Sequence, residues 1–146
     1  MGSIWSQTCS IGRRPPLRGH LKTQAAVVGA GMAGVLTAYA LQQAGLSVVV
    51  LEADRIAGGQ TQNTTAKITS QHGLIYSRLI QSFGEETARR YAKANQDAVR
   101  AYQDLIDVQG ISCDWEERCA YLYGPDVTVL QEEAEAARRL GLPASF

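Results

Sequence analysis

The residues with the clearest chemical purpose are Gly29, Gly31 and Gly34 in "GAGMAG", together with Glu52, the first acid in the chain. Ala30, Met32 and Ala33 complete a G-x-G-x-x-G string, which taken alone is a weak signal. Its setting gives it weight: an apolar run precedes it, a helix-forming run follows, and an acid closes the next apolar run. That combination suits the diphosphate of a dinucleotide. Gly29 permits the tight turn, and Gly31 lets a pyrophosphate approach the backbone. Gly34 lets the helix sit close on the strand, while the free N–H groups of the helix start hold negative charge. Glu52 is suited to accept hydrogen bonds from ribose hydroxyls, and its carboxylate disfavours the 2′-phosphate of NADP. The competing reading, glycines that merely tighten a turn, leaves Glu52 unexplained.

A second group of polar residues lies in "GGQTQNTTAKITSQHG", Gly58 to Gly73. Thr61, Thr64 and Thr65 offer hydroxyls, and the backbone offers N–H groups that can hold phosphate and a flavin edge. An NAD site moves quickly to a third strand, whereas here a long polar loop follows Glu52, which favours FAD. The simpler alternative is surface polarity. Asn63-Thr64-Thr65 matches a glycosylation acceptor and is discounted because no secretory signal precedes it. His72 could move protons beside a flavin, but a turn histidine ahead of a helix is the preferred reading. Trp115 and Tyr121 are read as packing residues on short strands.

The elements that must position these groups follow from the apolar pattern. Residues 25–29 form a short apolar strand, and Met32 to Ala44 suits a buried helix closed by Gly45. Leu46 to Leu51 reads as a second strand, apolar in succession and so covered on both faces, as in a parallel sheet. This is one βαβ unit. Leu74 to Phe83 is expected to form a short helix. Ser82 and Glu85 stand in capping-box spacing ahead of a longer helix ended by Gly110, with Ala88, Tyr91, Ala92, Ala98, Val99, Tyr102, Leu105 and Ile106 as its apolar stripe. Ile111–Glu116 and Cys119–Tyr123 read as a hairpin. A last helix begins near Asp126 or Thr128 and ends at Gly141.

The fold class is therefore α/β: a Rossmann-type βαβ unit with the start of an α+β region, as an incomplete domain. Its parts are an extended arm (1–22), the βαβ unit with its polar loop (23–73), and a helical, hairpin and helix segment (74–146). The 146 residues carry 14 basic and 14 acidic side chains, so no global field favours nucleic acid or an anionic membrane. Arg13-Arg14 is followed by Pro15 and Pro16 rather than an apolar stretch, which argues against a twin-arginine signal. No run is long and apolar enough to span a membrane, and a cytoplasmic location is expected. Cys9, Cys113 and Cys119 form no metal-ligand spacing, so no metal site is expected, and buried reduced thiols are expected instead.

On these residues the chain resembles the flavin-dependent amine and amino-acid oxidoreductases related to D-amino-acid oxidase and glycine oxidase. The resemblance rests on VVGAGMAG, on Ala38, Leu41, Gly45 and Val48 at the family's spacings, and on LEADRIAGGQT. "NTTAKITSQHGLIY" and "SIWSQT" look most like a bacterial branch in which a Rieske iron–sulfur domain follows the flavin domain. The resemblance implies FAD as cofactor. It assigns the glycine string and Glu52, with Ala53 beside it, to the ADP moiety, and Thr61, Thr64, Thr65 and Ala66 to the pyrophosphate and flavin. Gln62 departs from a position that is often glycine in the family. The implied reaction is oxidation of an amine or amino-acid type small-molecule substrate by hydride transfer to flavin. The implied partner is a C-terminal remainder of the same protein with its Rieske domain. No catalytic residue is named, and the chain looks like an N-terminal fragment without turnover of its own. The other readings are a nucleotide-binding remnant without turnover and an NAD-dependent reductase fragment.

Overall fold

The computed structural model describes residues 3–146. The chain divides into two compact units, one ending at Lys67 and one running from Ile68 to Phe146. The division falls ahead of the expected boundary at Gly73, because Thr69–Gly73 bonds into the second unit.

The first unit opens with helix α1 (Ile4–Thr8), capped by the Ser3 side chain. Residues 9–23 follow without regular structure. Strand β1 (Ala25–Val28) pairs in parallel with β2 (Val48–Leu51), Ala25 opposite Val48 and Val28 opposite Leu51. Helix α2 (Met32–Gln43) connects them; within it Ala38 alone is buried, so the helix expected to be buried is exposed along most of its length. Polar side chains fix the register at the entrance to the sheet. The Gln24 N–H donates to Ser47 Oγ at 3.1 Å, and the Ser47 N–H donates to Gln24 Oε1 at 2.9 Å. At the other end the Gly29 N–H donates to the Leu51 carbonyl at 2.7 Å, which carries the ladder into the glycine turn. Helix α2 ends as expected. Gly45 takes φ +84°, and Leu46 N–H closes back on the Leu41 carbonyl at 3.1 Å. Past β2 the chain folds into a 3-10 turn (Gln60–Asn63).

The second unit is built on helices α3 (Tyr76–Gln109) and α4 (Val127–Arg139). Gly84 interrupts α3 with φ 79° and ψ 159°, a conformation closed to side-chain-bearing residues, so the short and long helices expected from the sequence meet there at a kink. Glu85 does not act as a capping-box acid; its carboxylate pairs with Arg89 and Arg139. The core comprises Tyr76, Ala88, Ala92, Ala136, Ala137 and Leu140, with Tyr91 set edge-on to Tyr76 at 6.4 Å. Ala88 and Ala92 bear out the inner end of the expected stripe, whereas Ala98 is exposed. Asp126 caps α4 by accepting from the Thr128 and Val129 N–H groups at 3.0 and 3.2 Å.

Two further expectations are corrected. Residues 111–125 contain no strand, so the hairpin over Ile111–Glu116 and Cys119–Tyr123 is not formed. Two strands alone are marginal in water, and no third strand among the described residues of this unit supports them. Tyr121 stands exposed, and the buried Trp115 Nε1–H has no hydrogen-bond partner among the described residues. The three cysteines are exposed rather than buried, since Cys113 and Cys119 lie in this irregular segment and Cys9 just past α1.

Candidate functional site

The glycine turn between β1 and α2 is the centre of the first unit's polar chemistry. Its three glycines exist for different physical reasons. Gly29 has φ +100°, a value that favours glycine whatever the surrounding space. A Cβ on Gly34 would lie 1.9 Å from the Gly29 carbonyl oxygen, so α2 can approach β1 only without one. Gly31 is ordinary in both respects. It has φ −77°, and a Cβ there would meet only Thr61 Oγ1, at 3.4 Å. The fold of this chain does not demand a glycine at position 31.

Glu52, one residue past β2, turns back to the same place. Its Oε2 accepts the Ala30 N–H at 2.8 Å, and its Oε1 accepts the Asp54 N–H at 3.0 Å. The Ala30 bond, then the Asp54 bond, holds the carboxyl below the usual glutamate range, so the group is an anion at neutral pH. The side chain is exposed and keeps acceptor capacity toward solvent. Ala53, also exposed, follows it directly and adds a weaker backbone bond to the carboxylate.

Thr61 reaches the turn from the other side, its Oγ1 accepting the Met32 N–H at 2.9 Å. The loop is also pinned by a residue that the sequence did not single out. Ala57, in the left-handed region at φ 57°, donates its N–H to the Ala30 carbonyl at 2.9 Å. A non-glycine residue at positive φ carries no clear mark in sequence. Ala33 and Gly34 stand in the first turn of α2, ahead of Val35, whose N–H bonds back to the Gly31 carbonyl at 3.0 Å. N–H groups in that first turn lack partners within a helix and attract anions.

The structure thus brings together Gly29, Ala30, Gly31, Met32, Ala33, Gly34, Glu52 and Thr61. Thr64, Thr65 and Ala66 continue from the 3-10 turn as exposed residues, the Thr64 hydroxyl donating to the Thr61 carbonyl at 3.2 Å. Ala66 has φ 55°. His72 lies in the second unit, where its Nε2 faces Asn95 Oδ1 at 3.3 Å.

The glycine turn therefore combines a helix start, a backbone without a side chain at Gly31, and an ionised carboxylate at the end of the neighbouring strand. Comparison with known proteins defines the class. Residues 24–146 match the model of the DAO family, the FAD dependent oxidoreductases, and the chain belongs to that family. FAD is therefore its cofactor. The chain is 36% identical over 143 residues to YhfW of Bacillus subtilis, named as a Rieske 2Fe-2S iron-sulfur protein, covering 96% of this chain and 28% of that one. It is 28% identical over 117 residues to gamma-glutamylputrescine oxidoreductase of Escherichia coli, covering 79% of this chain and 28% of the other. It is 33% identical over 141 residues to the tRNA-modifying bifunctional protein MnmC of Ectopseudomonas mendocina, covering 90% and 21%. The chain therefore spans between a fifth and a third of the length of these relatives. No solved structure matches it. No helix among the described residues is long and apolar enough to cross a membrane.

Proposed function

We propose that this chain is the N-terminal FAD-binding part of a flavin-dependent oxidoreductase acting on an amine or amino-acid type substrate, built on a Rossmann-type βαβ unit. The observation that carries the reading is Gly31, whose missing side chain serves no need of the fold and leaves room for a pyrophosphate against the backbone. In this reading Gly29, Ala30, Gly31, Met32, Ala33 and Gly34 hold the diphosphate. Glu52 accepts from the adenosine ribose with Ala53 beside it, and Thr61, Thr64, Thr65 and Ala66 line the pyrophosphate and flavin. FAD supplies the hydride acceptor; the residues of this chain bind, orient and electrostatically support it. The relation to an oxidoreductase named for gamma-glutamylputrescine supports an amine-type substrate. The relation to YhfW supports a partner Rieske domain in a longer parent protein.

The test is a titration of the purified chain with FAD, followed by anaerobic addition of amines. Uptake of FAD without amine-dependent bleaching is expected, because most of the relatives' length lies outside the matched stretch. A chain that takes up no FAD overturns the cofactor reading. Tight FAD with amine-dependent bleaching overturns the assignment of this chain as a binding part alone.

A further inference from the structure

The family match begins at residue 24, so helix α1 lies outside it, yet α1 bonds to the loop that follows the glycine turn. Ser3 Oγ accepts the Trp5 N–H at 3.1 Å and donates to the Gln62 carbonyl. The Trp5 indole Nε1–H donates to the Thr64 carbonyl at 2.9 Å. Two side chains from the start of the chain thus hold two carbonyls at the C-terminal end of the 3-10 turn. That turn also carries Thr61, the residue whose hydroxyl meets the Met32 N–H.

The consequence follows from peptide geometry. A trans peptide sets its carbonyl and the following N–H antiparallel. Holding the Thr64 carbonyl on the α1 side therefore turns the Thr65 N–H to the opposite side. Thr65 has no hydrogen-bond partner among the described residues, and it is exposed. Within the loop, Thr64 is already committed: its hydroxyl donates to the Thr61 carbonyl at 3.2 Å and its N–H to the same oxygen at 3.5 Å. Of the Thr64 and Thr65 backbone donors, the one left aimable is the N–H of Thr65, and the Trp5 bond to the Thr64 carbonyl sets its direction.

We propose that Trp5, seated by Ser3, is a positioning residue that aims the Thr65 N–H at an anionic or carbonyl oxygen of the bound FAD. This rests on the reading of the glycine turn as the FAD site. A single neutral hydrogen bond sets the scale, so Trp5→Phe, which keeps the ring and removes the N–H, should raise the FAD dissociation constant about fivefold. Trp5→Ala should raise it further.

The test uses the whole chain with three measurements: calorimetric FAD titration, and amide hydrogen exchange at Thr64 and Thr65 with and without FAD. The expected result is weaker FAD in Trp5→Phe, faster ligand-free exchange at Thr64, and loss of the protection that FAD gives Thr65 in the unaltered chain. A role confined to general stability would leave the FAD-induced protection at Thr65 intact, and that result overturns the proposal. An unchanged dissociation constant in Trp5→Phe also overturns it. If the unaltered chain takes up no FAD, the reading of the glycine turn fails instead. The clamp itself is then judged on ligand-free exchange at Thr64: faster exchange in Trp5→Phe supports it and equal exchange removes it.

Discussion

Glu52 in the first unit and Glu133 in the second are both carboxylates that accept backbone N–H groups near the start of a helix, and they do opposite things. Glu133 is 3% exposed. Its Oε1 accepts from the Ile75 and Tyr76 N–H groups at 2.8 Å each, and its Oε2 from the Ser77 N–H at 2.9 Å. The residue at the N-cap of α3, Ile75, has no side chain able to do this, so a glutamate from α4 supplies the cap. Every bond Glu133 makes is consumed by the fold. Glu52 makes two such bonds at hydrogen-bonding distance and remains open to solvent. A carboxylate that is buried and saturated by its own backbone is architecture. One that is ionised and exposed, beside a glycine the fold does not require, keeps acceptor capacity that the fold leaves unused.

The sharpest way to break this contrast is to remove the buried acid. Glu133→Ala strands the N–H groups of Ile75, Tyr76 and Ser77 under α4, and should destabilise the second unit by on the order of 3 kcal/mol. Glu133→Gln keeps one acceptor oxygen and should fall between. Urea unfolding followed by circular dichroism measures both. An unchanged midpoint for Glu133→Ala would mean that the acid is not the cap of α3.

The next effect belongs to the first unit's own packing. Gly34→Ala drives a Cβ into the Gly29 carbonyl, and because that neighbour is backbone it has little room to yield. Overpacking of this kind costs about 1–3 kcal/mol. It should loosen the β1–α2 contact and lower FAD affinity together. Gly31→Val separates the two. Its neighbour is a single threonine hydroxyl at 3.4 Å, so the loss of stability should stay near about 1 kcal/mol, the scale of a poorer N-cap residue. FAD retention, read from flavin absorbance after gel filtration, should nevertheless disappear. A yellow Gly31→Val protein would contradict the phosphate-loop reading directly.

How much of this was legible in the sequence differs between the units for a physical reason. The β1–α2–β2 order, the glycine turn and Glu52 are local: each is set by residues within one short stretch, and the pattern of apolar runs and glycines discloses them. The cap on α3 is not local, because Glu133 is far from Ile75 in sequence, and its place early in α4 resembles an ordinary dipole-favouring acid. The docking of Trp5 on Thr64 is equally long-range. The failed hairpin at Ile111–Tyr123 is the converse case. Its residues have strand-like composition, but composition supplies no neighbouring strand, and side-chain preference alone does not hold two short strands together.

The smallest effect on stability, and the most selective on binding, is expected at Glu52 itself. Because its side chain is exposed, Glu52→Gln should leave the unfolding midpoint nearly unchanged. FAD should weaken markedly, whereas FMN, which has no adenosine, should hardly respond. Equal losses for both flavins would remove Glu52 from the ribose site. Acid pH gives a second handle with a defined sign. The carboxyl is held below its ordinary value of 4.5, first by the Ala30 N–H and next by that of Asp54. A depressed acid contributes fully above its unfolded value and loses that contribution as pH falls through the folded one. The ratio of FAD dissociation constants between Glu52→Gln and the unaltered chain should therefore stay constant from neutral pH down to about the ordinary glutamate value. It should approach unity only at lower pH, as Glu52 itself takes up a proton. A ratio that already falls near pH 6 would mean that the Glu52 carboxyl takes up its proton above the ordinary range, and the bonds from Ala30 and Asp54 would then not hold it as an anion at the site.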